Sequence, residues 1–193
     1  MLGALVDTAQ YKLRRRASVA VALSITLTAA VAAAVYPVFG PNDVPTTFFI
    51  SKSDDRNRVD YGIRLDAHCA PLNDDAIILY WREFEPPPPV RTHSLNFLDQ
   101  RAYGISSQRV VKRDANGGDY ALRLRQVGRP IGIASHRGPD GHCLTVARTT
   151  INGKVSELLS IYVKLGGPLS VDYIDIHGRS FADGKPVVER LKH

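Results

Sequence analysis

Only two cysteines occur in the 193 residues, too few for a disulfide-dense mini-protein. There is no internal repeat, which sets aside solenoids and propellers. The chain also lacks a Gly-x-Ser-x-Gly elbow, a Gly-x-x-x-x-Gly-Lys-Ser/Thr phosphate loop and a Gly-x-Gly-x-x-Gly pattern. Serine-hydrolase, ATP and NAD chemistry are therefore not indicated. The composition that remains, 44% apolar and 23% charged, is that of an ordinary globular protein and excludes a collagen-like, fully disordered or polytopic membrane chain.

One long uncharged run is present, from Ala17 to Val35, directly after the basic cluster Lys12, Arg14, Arg15 and Arg16. A buried core helix would show polar residues at regular intervals, whereas this run has only Ser and Thr as polar members and lacks that amphipathic period. It reads as an export signal with its cations on the cytoplasmic side. As a helix it would be about 28 Å long, close to a bilayer core, so it can remain as an anchor. The pairs Ala30/Ala32 and Ala32/Ala34 equally suit a signal peptidase. The expected organisation is a signal peptide or signal anchor over 1–36, a linker over 37–45 and an extracytoplasmic domain over 46–193. Residues 1–36 hold four cations and one acid, so 3 of the net +6 charges belong to the leader. That leaves little basic excess to suggest a nucleic-acid partner.

Outside the cytoplasm, two cysteines in one small domain most often pair, which favours a Cys69–Cys143 disulfide. Each cysteine follows a histidine, His68 and His142, and these atoms would also suit zinc. Neighbours on a strand point to opposite faces, however, and neither pair has Cys-x-x-Cys spacing, so the disulfide is the preferred reading.

Beyond the linker the pattern is that of short strands. Thr46–Ser51 is the first. In Arg58–Asp66, Val59, Tyr61, Ile63 and Leu65 alternate with Arg58, Asp60, Arg64 and Asp66, the signature of a half-buried strand. Ala76–Glu85 follows and stops at Pro86–Pro89, a stiff spacer. Ser94–Tyr103 places Leu95, Leu98 and Ala102 at helical spacing, predicting a helix capped by Ser94 and ended by Gly104. Asn116-Gly117-Gly118 then predicts a turn into a strand with Tyr120, Leu122 and Leu124 inward and Arg123 and Arg125 outward. Roughly eight or nine strands and one short helix make the expected fold all-β: a single antiparallel β-sandwich or small barrel. A parallel sheet is not expected, because crossover helices are missing.

Three groups of residues are candidate sites. The polar stretch Lys52 to Arg58 reads either as a solvated turn or as a recognition loop in which Lys52, Arg56 and Asn57 donate to an anionic or sugar-like ligand. In Tyr80-Trp81-Arg82, alternation puts Trp81 in the core beneath an exposed Tyr80/Arg82 pair. Arg64 belongs with the outward cations, or else forms an ion pair with Asp66. Finally, Tyr173, Asp175 and His177 share one strand face, and Asp175 and His177 would need a third ligand, such as His136 or His142, to hold a metal.

The run FFISKSDDRNRVDYGIRLD (Phe48 to Asp66), with YWR (Tyr80 to Arg82) and AYGI (Ala102 to Ile105), resembles a family of small exported bacterial proteins catalogued as a domain of unknown function. The matching residues include Lys52, Ser53, Asn57, Trp81, Tyr103 and Gly104. The resemblance implies a β-rich exported or membrane-tethered domain and carries no catalytic role or cofactor with it. The expected function is thus a non-catalytic envelope binding or structural domain without cofactor. Its expected partners are the membrane, through an uncleaved leader, and an envelope protein or glycan. Its ligand-binding residues would be Lys52, Arg56, Asn57, Arg64 and Arg82. The alternative is a metal-dependent or hydrolytic extracytoplasmic enzyme using Asp175, His177 and another histidine.

Overall fold

The computed structural model describes residues 44–53, 55–84, 90–167 and 170–192. The expected leader 1–36 and nearly all of the linker lie outside these residues, as do the four prolines of the spacer. Eleven strands and one helix follow in order: β1 (Thr46–Lys52), β2 (Arg58–Ile63), β3 (Ile77–Glu83), β4 (Arg91–Ser94), α1 (Phe97–Tyr103), β5 (Ile105–Asp114), β6 (Gly117–Leu124), β7 (Pro130–Arg137), β8 (Cys143–Ile151), β9 (Lys154–Gly167), β10 (Ser170–Ser180) and β11 (Pro186–Lys192). Among the described residues no helix is long and apolar enough to cross a membrane.

The strands form one open hydrogen-bonded sheet, where a sandwich or barrel was expected. Its order is β4-β3-β2-β1-β9-β8-β7-β6-β5, with β10 also on β9 and β11 on β10. The cause is the length of β9, 14 residues. Lys154–Glu157 pairs with β8, whereas Ser160–Val163 pairs with β1. Because β10 runs alongside both stretches, β8 and β1 share the other edge of β9, and the sheet branches there into two wings. The β1–β9 pair is parallel, the other pairs antiparallel. A fully antiparallel sheet was expected; the parallel pair needs no crossover helix, since every strand between β1 and β9 belongs to the wings themselves.

Alternation selects the core. Ile50 lies opposite Ile161 and Val59, Val59 opposite Trp81, and Ile161 opposite Ile176, all on one face. Together with Phe48, Tyr61 and the β6–β7 residues Tyr120, Leu122, Ile131 and Ile133 they form a single buried cluster drawn from both wings. Each such side chain contributes about 1.5–3 kcal/mol by leaving water. Phe48 stacks on Tyr61 with ring centroids 4.5 Å apart.

The β2–β3 connection ties the wings together. Leu65 pairs with Pro71 in an isolated bridge, and the loop then reaches the other wing. The Cys69–Cys143 disulfide joins it to β8, Tyr120 donates its hydroxyl to the Asp74 carbonyl, and Arg113 Nη2 donates to the Leu72 carbonyl at 2.9 Å. Arg137 also reaches the Ala67 carbonyl. The strand β5 would otherwise expose its outer edge; there Asp74 Oδ1 accepts the Val110 amide at 2.7 Å, a side-chain cap on a potentially sticky edge.

The helix departs from its expected start. Ser94 ends β4, and the cap is Asn96, whose side chain accepts the Asp99 amide at 2.9 Å. Gly104 ends α1 as expected, its amide bonding the Gln100 carbonyl. Leu98, read as part of an apolar stripe, is 72% exposed.

Candidate functional site

The residues singled out in the sequence do not fall in one place. At the upper end of β1, Lys52 sits opposite Val163 and so belongs to the core face. The Ser53 amide extends the pairing by donating to the Val163 carbonyl at 2.8 Å, and Ser53 Oγ accepts the Leu165 amide at 3.1 Å. Held in this way, Lys52 Nζ lies 5.5 Å from the centre of the Trp81 ring and 3.3 Å from Asp55 Oδ2.

Trp81 is fixed from its other sides. Its indole N–H donates to Asp99 Oδ2 at 2.9 Å, and the Tyr103 ring packs edge-on at 5.5 Å between centroids. Tyr61 OH donates to the Tyr103 carbonyl at 2.5 Å, anchoring the end of α1 to β2. Burial, and then the carboxylates of Asp99 and Asp55, push the Tyr103 phenol above its ordinary range; the group is a hydrogen-bond donor at neutral pH.

The β1–β2 turn closes this cluster. Asp55 Oδ1 accepts the Asn57 amide at 2.8 Å, and Asn57 Oδ1 accepts the Phe84 amide at 3.0 Å. Arg56 is exposed at the tip. The Lys52 ammonium, the Asp55 and Asp99 carboxylates, the Tyr103 ring and the Trp81 indole thus form one linked cluster, and Arg56 follows Asp55 as an exposed residue of the turn. Such a set offers hydrogen-bond donors and acceptors within one small area, laid over the buried Trp81 ring. Asp55, Asp99 and Tyr103 were not identified as site residues from the sequence. Asp99 carried a signal as an acid in the first turn of a short helix, and Tyr103 as the centre of the AYGI block.

Arg82 corrects its expected place. With Tyr80 it was expected at the surface, yet Arg82 is 2% and Tyr80 0% exposed. Arg82 Nη2 meets Asp60 Oδ2, Thr46 Oγ1 at 3.1 Å and Tyr80 OH at 3.3 Å. Alternation gave the correct face but could not show that this face is covered. Trp81 lies in the core as expected. Arg64 lies beyond the opposite end of β2 and donates to the Asp75 carbonyl at 2.8 Å. It is not paired with Asp66, whose carboxylate accepts the His68 and Ala70 amides.

The alternative metal set does not assemble. Both carboxylate oxygens of Asp175 accept from Arg190, Nε and Nη2 each at 2.7 Å, and this pairing holds the Asp175 carboxyl below its ordinary range. His136 is on β7 and His142 just before β8. Among the described residues no three of His, Cys, Asp and Glu are placed to hold a metal ion.

One family model matches residues 48–190, a span that runs from β1 into β11. The chain belongs to that family, described as Domain of unknown function (DUF4833). The family region takes in Lys52, Trp81 and Tyr103, three of the residues that carried the resemblance, and the fold brings them into contact. Among curated proteins and among solved structures, nothing matches this chain.

Proposed function

We propose that this family member is an exported or membrane-tethered envelope protein whose domain 46–193 binds a polar envelope ligand, a glycan or protein segment, without catalysis. Residues 1–36 would serve as signal peptide or anchor and 37–45 as linker. The buried Cys69–Cys143 disulfide supports an oxidising compartment. The observation that carries the binding reading is the placement of Lys52 over Trp81 and beside Asp55, with the residue after Asp55, Arg56, exposed. Lys52, Arg56 and Asp55 would engage the ligand, with Asn57 shaping the turn. Arg64 and Arg82 hold the fold instead.

Trp81 is the sole tryptophan, so its emission reports on this cluster alone. Titrating the full-length protein with muropeptides from its host should shift Trp81 fluorescence saturably, and Lys52→Ala or Arg56→Ala should weaken the response about tenfold. Saturable binding that both variants leave intact would remove the site from consideration.

A further inference from the structure

Strand β4 buries almost nothing. Its four residues, Arg91 to Ser94, are all exposed, and among the described residues no strand pairs with its outer side. Its attachment therefore rests on backbone pairing with β3 and on what its side chains meet there. His93 lies opposite Trp81 and Arg91 opposite Glu83, so His93 and Glu83 are diagonal neighbours on one face of the pair. His93 Nε2 is 2.9 Å from Glu83 Oε1, and Nδ1 is 3.1 Å from the Ser94 carbonyl oxygen. Both partners of the imidazole are acceptors. A neutral ring has one N–H and satisfies one of them, leaving a lone pair aimed at the other oxygen, whereas the imidazolium donates to both. The contact geometry selects the protonated ring.

We propose that β4 is a proton-latched edge strand: protonated His93 clamps it to β3 through Glu83, and loss of that proton lets it open more often, baring the outer edge of β3. The charges around the ring are Glu83 from β3 and Asp99 from α1, which favour the cation. Opposing it are Arg91, two positions along β4, and Lys52 of β1, which sits over Trp81 and is engaged by Asp55 at 3.3 Å. The Ser94 carbonyl and then the Glu83 carboxylate hold His93 above its ordinary 6.5, against the opposing effect of burial. The folded ring thus keeps its proton better than the unfolded chain does. The clamp is fully present below pH 6.5 and is lost as the pH rises through the higher native value. The His93 and Glu83 side chains are 49% and 29% exposed, which limits the effect to a few-fold change in opening. The latch needs no ligand and stands apart from the binding reading of Lys52.

The test is a titration of the full-length protein between about pH 5 and pH 9, following the His93 ring by NMR and the hydrogen exchange of the β4 amides, corrected for the intrinsic rise of exchange with pH. His93 should titrate above 6.5, and β4 protection should fall about twofold to fivefold across the same midpoint, while β7, in the other wing, shows no step. In Glu83→Gln the midpoint should move down and the fall in protection with it. In His93→Gln, which keeps a donor but does not titrate in this range, β4 protection should be level with pH. A His93 midpoint at or below 6.5, a midpoint unmoved in Glu83→Gln, or β4 protection that stays level through the His93 titration would each overturn the latch.

Discussion

Arg82 Nη2 lies 2.6 Å from Asp60 Oδ2, with side chains 2% and 0% exposed. The same carboxylate accepts Arg58 Nε at 2.7 Å and the Thr46 hydroxyl at 2.8 Å. A buried ion pair of this kind adds little net stability over an apolar pair, but removing one partner strands the other charge. Asp60→Leu should therefore cost about 3–5 kcal/mol in urea unfolding, and adding Arg82→Met should recover part of the loss. A single-variant cost below about 1 kcal/mol, typical of a solvated pair, would show that water reaches this cluster.

The disulfide closes a loop of sequence separation 74 between the β2–β3 connection and β8. Loop-closure entropy for that length is on the order of 4 kcal/mol. Cys69→Ala/Cys143→Ala should lower the unfolding free energy by an amount of this order, and reductant should lower the wild type similarly. Coincident unfolding curves for oxidised and reduced protein would contradict it.

Glu189 gives the chain an acid-sensitive link. Its carboxylate accepts Arg129 Nη2 and Nη1 at 2.7 and 2.9 Å and the Asn152 amide at 2.6 Å. The Arg129 bonds, reinforced by the amide, hold its carboxyl down to about 2 from an ordinary 4.5. The folded state thus binds this proton less well than the unfolded state. The stabilisation is fully present above pH 4.5 and is lost as the pH falls through about 2. Both side chains are about one-fifth exposed, so screening leaves a contribution on the order of 1–2 kcal/mol. Glu189→Gln should be less stable by that amount at pH 7, with the difference shrinking towards zero near pH 2. A difference that stays constant across this window would assign the effect to packing.

Gly178 sits where β10 shifts register against β9. A Cβ there would lie 2.2 Å from the Glu157 carbonyl oxygen and 2.4 Å from Ile151 Cδ1. Gly178→Ala should cost roughly 1–3 kcal/mol. Gly128→Ala, with nothing within 4 Å of the added carbon, should stay within about 0.5 kcal/mol of wild type. Equal melting temperatures for the two variants would mean that the strand moves to make room.

Local pattern was informative where burial is one-sided. Tyr120, Leu122 and Leu124 are buried and Arg123 and Arg125 exposed, as alternation predicts. It failed at Arg82 and Tyr80 because alternation assigns a face without saying what covers it. Strand β4 was missed: its four residues, RTHS, are all exposed and carry no apolar alternation. The helix was found by spacing but is held by its Asn96 cap and by the Trp81–Asp99 bond, neither of which depends on an apolar stripe. At the candidate site, Lys52 was legible as a polar residue beside a turn. Its approach to Trp81 was not, because that contact depends on how β1 pairs with β2 and β9. The parallel β1–β9 register joins segments far apart in sequence, and no short window contains it.

That register also sets the order in which the chain can finish folding. Strand β1 can form its hairpin with β2 early, but its other edge has no partner until β9 has been synthesised; the Leu165 amide and Ser53 hydroxyl bond across 112 positions. For most of the chain's emergence, β1 presents an open template, and contacts this distant form slowly. The vulnerable interval for misassembly therefore falls before β9 arrives, so truncation upstream of Lys154 should yield insoluble material rather than a smaller stable fold.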